Sequence, residues 1–232
     1  MAATNGHYAA HVEGDTIYVE RITESQDDLQ PIHLPDSGDH HVLALSSLLP
    51  TLLAVSSGSQ VLVFDVLKGK LRQPIFGNGR IITALAWSPK QANLLVSGTI
   101  DGSLSFWQVG SNASSPVQLR LRGACAAIAC STTDASVLAS IHDGAAVLSK
   151  AFPLRAITLD GEAAMAISWH PTRHNYLLAG YRSGKICTWS LSNMKHLENS
   201  SSGQESDGSD SDNGIFGELE DIKLQPVSYT HL

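Results

Sequence analysis

The sequence predicts an all-β fold built from repeated four-stranded antiparallel sheets. Three observations predict this fold: the spacing of the tryptophans, the spacing of the turn glycines, and the short apolar runs of β-prone residues between them. Trp87 and Trp107 are 20 residues apart, Trp169 and Trp189 are also 20 apart, and the second pair follows the first by 82 residues. Because 82 is twice 41, we infer a repeat of about 41 residues.

The turn glycines give nearly the same repeat. Gly58, Gly102, Gly144 and Gly184 are spaced by 44, 42 and 40 residues. Glycine favours a tight hairpin turn at such places because it tolerates a positive φ. A period near 41 with four short strands is typical of propeller blades. We therefore predict four units, at 40–70, 80–110, 122–150 and 160–191, preceded by the second half of one more at 8–22.

Two of these units carry motifs that resemble the WD-repeat family. One contains Ala-Trp-Ser-Pro from Ala86 and ends in Asp-Gly-Ser-Leu-Ser-Phe-Trp at Trp107. The other contains Ser-Trp-His-Pro from Ser168 and ends in Lys-Ile-Cys-Thr-Trp at Trp189. The resemblance covers about residues 40–191 and implies a partial WD-repeat β-propeller of about four and a half blades, where the family has about seven. Either further chain or a partner completes a ring of that size, or the chain forms an open arc.

The chain also departs from the family pattern. The Trp-Asp dipeptide is absent, and no Gly-His dipeptide precedes the first strand of a unit. The side-chain network that family members build from turn Asp, His, Ser and Trp is therefore incomplete in every unit, and only Asp101 and Asp143 keep the turn-Asp role. The residues to which we assign a structural role in the repeat are Trp87, Trp107, Trp169, Trp189, Asp101, Gly102, Asp143, Gly144, Gly58 and Gly184.

The order of the units resembles one family more narrowly, the WD-repeat subunit of SEA/GATOR-type nutrient-signalling complexes. A Gly123-Ala124 opening and the run Ser-Ile-His-Asp-Gly at 140–144 precede the Trp-His-Pro unit. Leu148 and Ser149 stand where that family carries aromatic residues. The resemblance implies a peripheral position on the vacuolar or lysosomal membrane.

Charge is distributed unevenly along the chain. The net charge is −7, but residues 1–197 hold 14 Asp/Glu and 14 Lys/Arg, whereas 198–232 hold eight acidic residues against Lys223. Without a basic excess in the folded part, we predict no nucleic-acid binding. The predicted organisation is a partial first blade and polar linker at 1–39, four blades at 40–197, and an acidic tail at 198–232.

The tail is predicted to be disordered. Residues 198–214 include no aromatic or aliphatic side chain, so this stretch cannot bury enough surface to offset chain entropy. Ser202 and Ser209 have an acidic residue three positions on and are the best candidates for phosphorylation; a plain solvated linker is the alternative. We interpret residues 226–232 as a truncated or artefactual end that relates to no repeat.

Cysteine usage and the termini favour a cytoplasmic protein. Cys125, Cys130 and Cys187 are odd in number and form no Cys-x-x-Cys pair, so we expect small, buried, reduced side chains. The first residues lack a basic and an apolar signal region. The apolar run at 42–55 is too short for a bilayer span and contains Pro50, so no membrane insertion is predicted.

No arrangement in the sequence predicts catalysis, a metal or a cofactor. His170 and His174 are four apart, but Pro171 between them rules out the helical geometry of a zinc site. His40 and His41 would point to opposite faces of a strand. No nucleophile elbow and no Cys-His spacing is present. We therefore predict that the protein is not an enzyme.

The predicted function is a non-catalytic scaffold, a WD-repeat subunit of an intracellular multi-protein complex. Rigid blades would present the segments 23–39, 110–122 and 149–160 as loops to protein partners. The alternative is a substrate receptor of a ubiquitin ligase, which needs a Trp-Asp followed by Asp-x-Arg, and neither is present. An enzyme with its pocket at the ring centre is the third class, and it lacks convergent acid, base or metal groups.

Overall fold

The computed structural model describes residues 2–22, 29–34, 42–76, 79–110, 116–151, 155–159, 161–173, 175–190 and 228–231. Over these residues the chain forms twenty β-strands in five four-stranded antiparallel sheets, and no helix. The prediction of an all-β fold from repeated four-stranded sheets is confirmed. In the same residues no helix has the length and hydropathy that a membrane span requires.

Each sheet takes four strands that are consecutive among the described strands. In the fifth sheet, residues 191–227, which lie outside the described residues, separate the third strand from the fourth. The first sheet contains β1 (Ala2–Thr4), β2 (Tyr8–Glu13), β3 (Thr16–Arg21) and β4 (Ile32–His33). The second contains β5 (Leu43–Leu45), β6 (Leu52–Ser57), β7 (Gln60–Asp65) and β8 (Lys70–Phe76). The third contains β9 (Ile82–Trp87), β10 (Leu94–Thr99), β11 (Ser103–Gln108) and β12 (Val117–Arg120). The fourth contains β13 (Cys125–Cys130), β14 (Val137–His142), β15 (Ala145–Lys150) and β16 (Arg155–Thr158). The fifth contains β17 (Ala164–Trp169), β18 (Tyr176–Tyr181), β19 (Lys185–Ser190) and β20 (Ser228–His231).

A tight turn joins the second and third strands of every sheet, and each turn has a glycine with positive φ. These are Gly14, Gly58, Gly102, Gly144 and Gly184, with φ between 57° and 85°. An L-residue with a side chain is strained at such an angle, which explains why glycine recurs at this point of the repeat.

Four apolar clusters hold the sheets together, and each cluster joins two sheets that are consecutive in the chain. We call the face that a sheet turns toward the next sheet its forward face, and the face turned toward the preceding sheet its rear face. Among the described residues no cluster joins the fifth sheet to the first. The sheets therefore form a series with two ends.

Burial separates the inner sheets from the end sheets. All six residues of β10 and of β14 are buried, because their sheets are covered on both faces. In β3 and β18 buried residues alternate with more exposed ones. Alternation of this kind indicates a sheet with one covered face and one free face.

The strand count differs from the predicted four and a half units. The first sheet is complete, because Ala2–Thr4 pairs with β2 and Ile32–His33 pairs with β3. These strands have two or three residues, too few for a period-2 pattern to be visible. The side chain of Asn5 shapes the first turn, since its Oδ1 accepts hydrogen bonds from the backbone N–H of His7 and of Tyr8, both at 3.0 Å.

The segments expected to be loops also contain strands. β4, β12 and β16 lie within 23–39, 110–122 and 149–160 and form the outer strand of their sheets. The segment 226–232, interpreted as unrelated to the repeat, contains β20, which pairs with β19 from Lys185 to Thr188. Outer strands pair along one edge only, so polar residues are tolerated and the sequence signal of a strand is weak.

Candidate interaction surface

Two repeat tryptophans bind across sheet interfaces. Trp87 ends the first strand of the third sheet, and its Nε1 donates to the backbone oxygen of Ala44 in the second sheet at 2.9 Å. Trp169 ends the first strand of the fifth sheet, and its Nε1 donates to the backbone oxygen of Ala129 in the fourth sheet at 2.8 Å. In the fourth sheet Cys130 holds this position, and its Sγ lies 4.0 Å from the oxygen of Ala86. The last residue of a first strand therefore reaches back to the preceding sheet.

The other two tryptophans lie in third strands and differ in their partners. Trp107 Nε1 donates to Ser97 Oγ at 2.9 Å. Trp189 occupies the matching position in the fifth sheet, is 1% exposed, and has no hydrogen-bond partner for its Nε1 among the described residues. The residue that matches Ser97 by strand register is Ala179, which carries no hydroxyl. The fifth sheet thus contains a buried indole N–H without an acceptor.

We expect Ala179→Ser to raise the free energy of unfolding by about 1 kcal/mol, because the new hydroxyl would accept from Trp189 as Ser97 accepts from Trp107. Urea unfolding of the wild type and the variant measures this effect. In a Trp189→Phe background the same change should destabilise, since the buried hydroxyl then has no donor. An equal effect in both backgrounds would contradict the proposed pairing.

The two turn aspartates make different contacts. Asp101 Oδ1 accepts from the Thr99 hydroxyl at 2.6 Å and from the Ser103 backbone N–H at 3.3 Å. Its Oδ2 lies 3.5 Å from Arg80 Nε and 3.7 Å from Arg120 Nη2. The Thr99 hydrogen bond is the main reason that the pKa of Asp101 is lowered. These contacts stabilise the turn rather than prepare a reacting carboxylate.

Asp143 ties its turn to the segment that precedes β13. It is a non-glycine residue with φ of 45°, and its Oδ1 accepts from the Ala124 N–H at 3.0 Å. Beside it, His142 is 1% exposed, with Nδ1 at 3.2 Å from the Gly123 oxygen and Nε2 at 3.0 Å from Ser140 Oγ. The histidine therefore bridges a strand and a connecting loop. Burial lowers the pKa of His142, opposed by the Gly123 hydrogen bond and by Asp143.

The lowered pKa of His142 predicts a pH dependence of stability. The unfolded chain takes up the proton at a higher pH than the folded chain, so the free energy of unfolding should fall as the pH drops below the ordinary histidine pKa of about 6.5. We expect the loss between pH 7.5 and 5.5 to be smaller in His142→Gln, measured by urea unfolding at each pH. An unchanged pH dependence in that variant would show that other groups cause it.

The other residues singled out from the sequence are three turn glycines, two serines and three cysteines. Gly58, Gly144 and Gly184 form turns between second and third strands, as Gly102 does. Ser202 and Ser209 lie outside the described residues.

Cys125 and Cys187 are buried, Cys130 is partly buried, and all three are free thiols. Burial raises the pKa of Cys125 and of Cys130 to about 12, so neither is a ready nucleophile.

No metal site is visible in the part of the chain that the structure describes: no three His, Cys, Asp or Glu side chains come together there.

The outer strand β8 carries Lys70, Arg72 and Pro74, and its pairing with β7 is interrupted by a register shift. Charge, proline and a bulge are the devices by which an exposed strand edge avoids pairing with other chains. We therefore interpret this edge as protected rather than as a binding site.

The forward face of the fifth sheet is the clearest candidate for binding. On β17, β18 and β19 this face is apolar or small and carries no charge; its residues are Met165, Ala166, Ser168, Tyr176, Leu178, Gly180, Ile186 and Thr188. Met165 is 67% exposed. Val96 and Phe106 hold the positions of Leu178 and Thr188 in the third sheet, and there they are buried under the fourth sheet.

Two glycines at equivalent positions also differ in whether another sheet packs against them. Gly98 of the third sheet lies so close to the fourth that a Cβ would come within 2.8 Å of Cys125 Cβ. Gly180 holds the matching position in the fifth sheet, where an added Cβ would meet only the Cβ of Ala166, at 3.8 Å. The fifth sheet therefore has the shape that permits close approach of another sheet, without a neighbour there among the described residues.

The free face at the other end of the series is polar. The rear face of the first sheet consists of Ala9, His11, Glu13, Thr16, Tyr18 and Glu20. The His11 ring stacks on Tyr18 with centroids 5.4 Å apart, and its Nε2 lies 3.6 Å from Glu13 Oε1. The matching positions of the second sheet are Leu53, Val55, Leu62 and Phe64, all buried against the first sheet. The two ends thus have different chemistry.

Comparison with known proteins adds no assignment: no protein-family model matches the chain, and no curated protein matches it significantly. The sequence did not single out the forward face of the fifth sheet. A signal existed, because the apolar residues at alternate positions of β18 and β19 match those of β10 and β11. The sequence could not show whether another part of the molecule covers them.

Proposed function

We propose that this chain is a non-catalytic protein-interaction scaffold of the WD-repeat β-propeller type, a subunit of a multi-protein complex. The observation that supports it best is the apolar forward face of the fifth sheet, which no other described sheet covers. Contiguous apolar patches on a protein surface mark interaction sites, because leaving them in water costs free energy. Its neighbours in the series bury the matching faces against other sheets.

The arrangement supports binding better than catalysis. Hydrogen bonds of the turn aspartates, of His142 and of three of the four repeat tryptophans go to structural partners within and between sheets. Sites of catalysis bring together groups with pKa values shifted for proton transfer or nucleophilic attack. The three thiols have raised pKa values instead. The SEA/GATOR-type assignment and its membrane position remain finer proposals within the scaffold class.

Affinity purification with mass spectrometry tests this proposal. The tagged full chain should copurify with a stoichiometric set of proteins that lacks ligase subunits. Leu178→Lys, on the forward face of the fifth sheet, should lose that set. Ala9→Lys, on the polar face of the first sheet, is the matched control and should retain it. No stoichiometric partner, or full retention by Leu178→Lys, would contradict the proposal, and ubiquitin-ligase subunits in the set would favour the alternative function.

A further inference from the structure

We propose that the series of sheets accepts another sheet at one end only. The forward face of the fifth sheet seats an uncharged β-sheet face of a partner protein, while the rear face of the first sheet stays in water. This inference rests on the proposed scaffold role and specifies the surface and the kind of partner.

The four described interfaces show what a forward face binds. Each packs against a rear face whose buried positions carry no Asp, Glu, Lys or Arg: they are apolar, such as Leu53 and Phe64 in the second sheet, or polar and uncharged, such as Ser97 in the third. Two of these rear faces also place an indole N–H on a backbone oxygen of the preceding sheet, at 2.9 and 2.8 Å. A suitable rear face is therefore uncharged, and a donor at the end of its first strand adds a hydrogen bond at two of the four interfaces.

The fifth sheet retains the features of a forward face. Leu178 and Ile186 occupy positions that are buried in the third and fourth sheets, and Gly180 leaves the same space as Gly98. The register places Ser168 where Ala44 and Ala129 accept an indole N–H in other sheets. Met165 is the extra residue of a bulge. In the third sheet the bulged residue is Thr83, and its hydroxyl donates to the backbone oxygen of Cys125 in the fourth sheet. Side chain and backbone are thus arranged as at an occupied interface.

The first sheet does not have a rear face of that kind. Glu20 and His11 stand where the second sheet has Phe64 and Val55, and Glu13 lies beside them. Burying an unpaired carboxylate such as Glu20 against Leu178 costs several kcal/mol, about as much as the apolar contact returns. Neither the chain's own first sheet nor that of a second copy is therefore a suitable occupant of the fifth sheet. A partner's sheet with an uncharged rear face is suitable.

The test converts the first sheet into an interface-type face. Ala9→Leu, His11→Val, Tyr18→Leu and Glu20→Phe introduce the residues of the second sheet into the full chain. We expect this converted chain to assemble head to tail, so that its weight-average mass in sedimentation rises about twofold or more with concentration. Adding Leu178→Lys should return it to the mass of the wild type, which should not assemble through its first sheet.

Several outcomes would overturn the inference: a converted chain that keeps the wild-type mass, assembly that Leu178→Lys does not prevent, or a wild-type assembly that Ala9→Lys disrupts. Thermal melting shows whether the variants fold, and the milder pair His11→Val and Glu20→Phe repeats the test with less change. The result is independent of the copurification experiment. If the converted chain fails to assemble while the wild type still copurifies with its partners, the proposed docking of a sheet on the fifth sheet is rejected and the scaffold role remains. If the converted chain assembles but no partner copurifies, the fifth sheet accepts a sheet face and the scaffold role is rejected.

Discussion

Replacing Gly102 with alanine is expected to lower the free energy of unfolding by about 3 to 5 kcal/mol. Gly102 has φ of 85°, which strains any residue with a Cβ. A Cβ there would also lie 2.6 Å from the backbone oxygen of Gly123 and still closer to that of Leu121. These backbone atoms cannot move aside cheaply, because Leu121, directly after β12, is held by its N–H, which donates to the Gly102 oxygen at 3.0 Å.

Gly184→Ala is the matched control for this change. Gly184 has the same φ of 85° in the equivalent turn of the fifth sheet, and no atom lies within 4 Å of an added Cβ. The control should cost only the conformational strain, about 1 to 2 kcal/mol. Urea unfolding of both variants measures the difference. Equal losses would show that the contacts between this turn and the connection 121–123 do not restrict residue 102.

Gly98→Ala is expected to destabilise the protein by about 1 to 3 kcal/mol through overpacking between the third and fourth sheets. An added Cβ would lie 2.8 Å from Cys125 Cβ and 3.1 Å from Ile128 Cδ1, and closer still to Cys125 Sγ. Cys125 is 1% exposed and cannot move into solvent. Adding Cys125→Ala should restore part of the stability, and a double-mutant cycle measures the coupling.

Gly180→Ala provides the comparison within the repeat. At this matching position an added Cβ meets only Ala166, so we expect a neutral change or a gain of up to about 1 kcal/mol from the better strand residue. Thermal or urea unfolding of the isolated full chain measures it. A loss as large as that of Gly98→Ala would mean that another sheet already covers the fifth.

The sequence predicted the inner strands well because they are covered on both faces. β6, β7, β10 and β11 are nearly continuous apolar runs between glycine turns, and the repeat of tryptophans and glycines fixed their spacing. The small side chains of β13 also have a visible consequence, the close approach of Cys125 to Gly98. These features depend on local composition and on turn chemistry, which a single sequence contains.

The outer strands were missed for a physical reason. β4 has two residues and β12 has four, so the buried Ile32 and the alternation of Val117 and Leu119 with polar residues are too short to be recognised as strand patterns. Pro74 lies within β8, where an outer edge tolerates a residue without an N–H. Signals that predict turns and loops in isolation therefore also occur in the outer strand of a sheet.

The interaction surface could be predicted only in part. The apolar alternation of β18 and β19 was present in the sequence, but whether Leu178 is covered depends on what packs against it. The polar residues at 9–20 were visible as well, yet their shared face follows only from the register of His11 with Tyr18. The missing acceptor for Trp189 likewise follows only from the register that places Ala179 where Ser97 lies in the third sheet.

Maleimide labelling of introduced cysteines tests the central claim, that the forward face of the fifth sheet is free while the matching faces of the inner sheets are covered. Leu178→Cys and Val96→Cys place a thiol at equivalent positions in the full chain, with Val96 1% exposed. We expect Leu178→Cys, at a half-buried position, to react without local opening, and Val96→Cys to react on the order of 100-fold more slowly, because its reaction requires local opening. Peptide mass spectrometry separates both from the native thiols. Protection of Leu178→Cys equal to that of Val96→Cys would contradict the account.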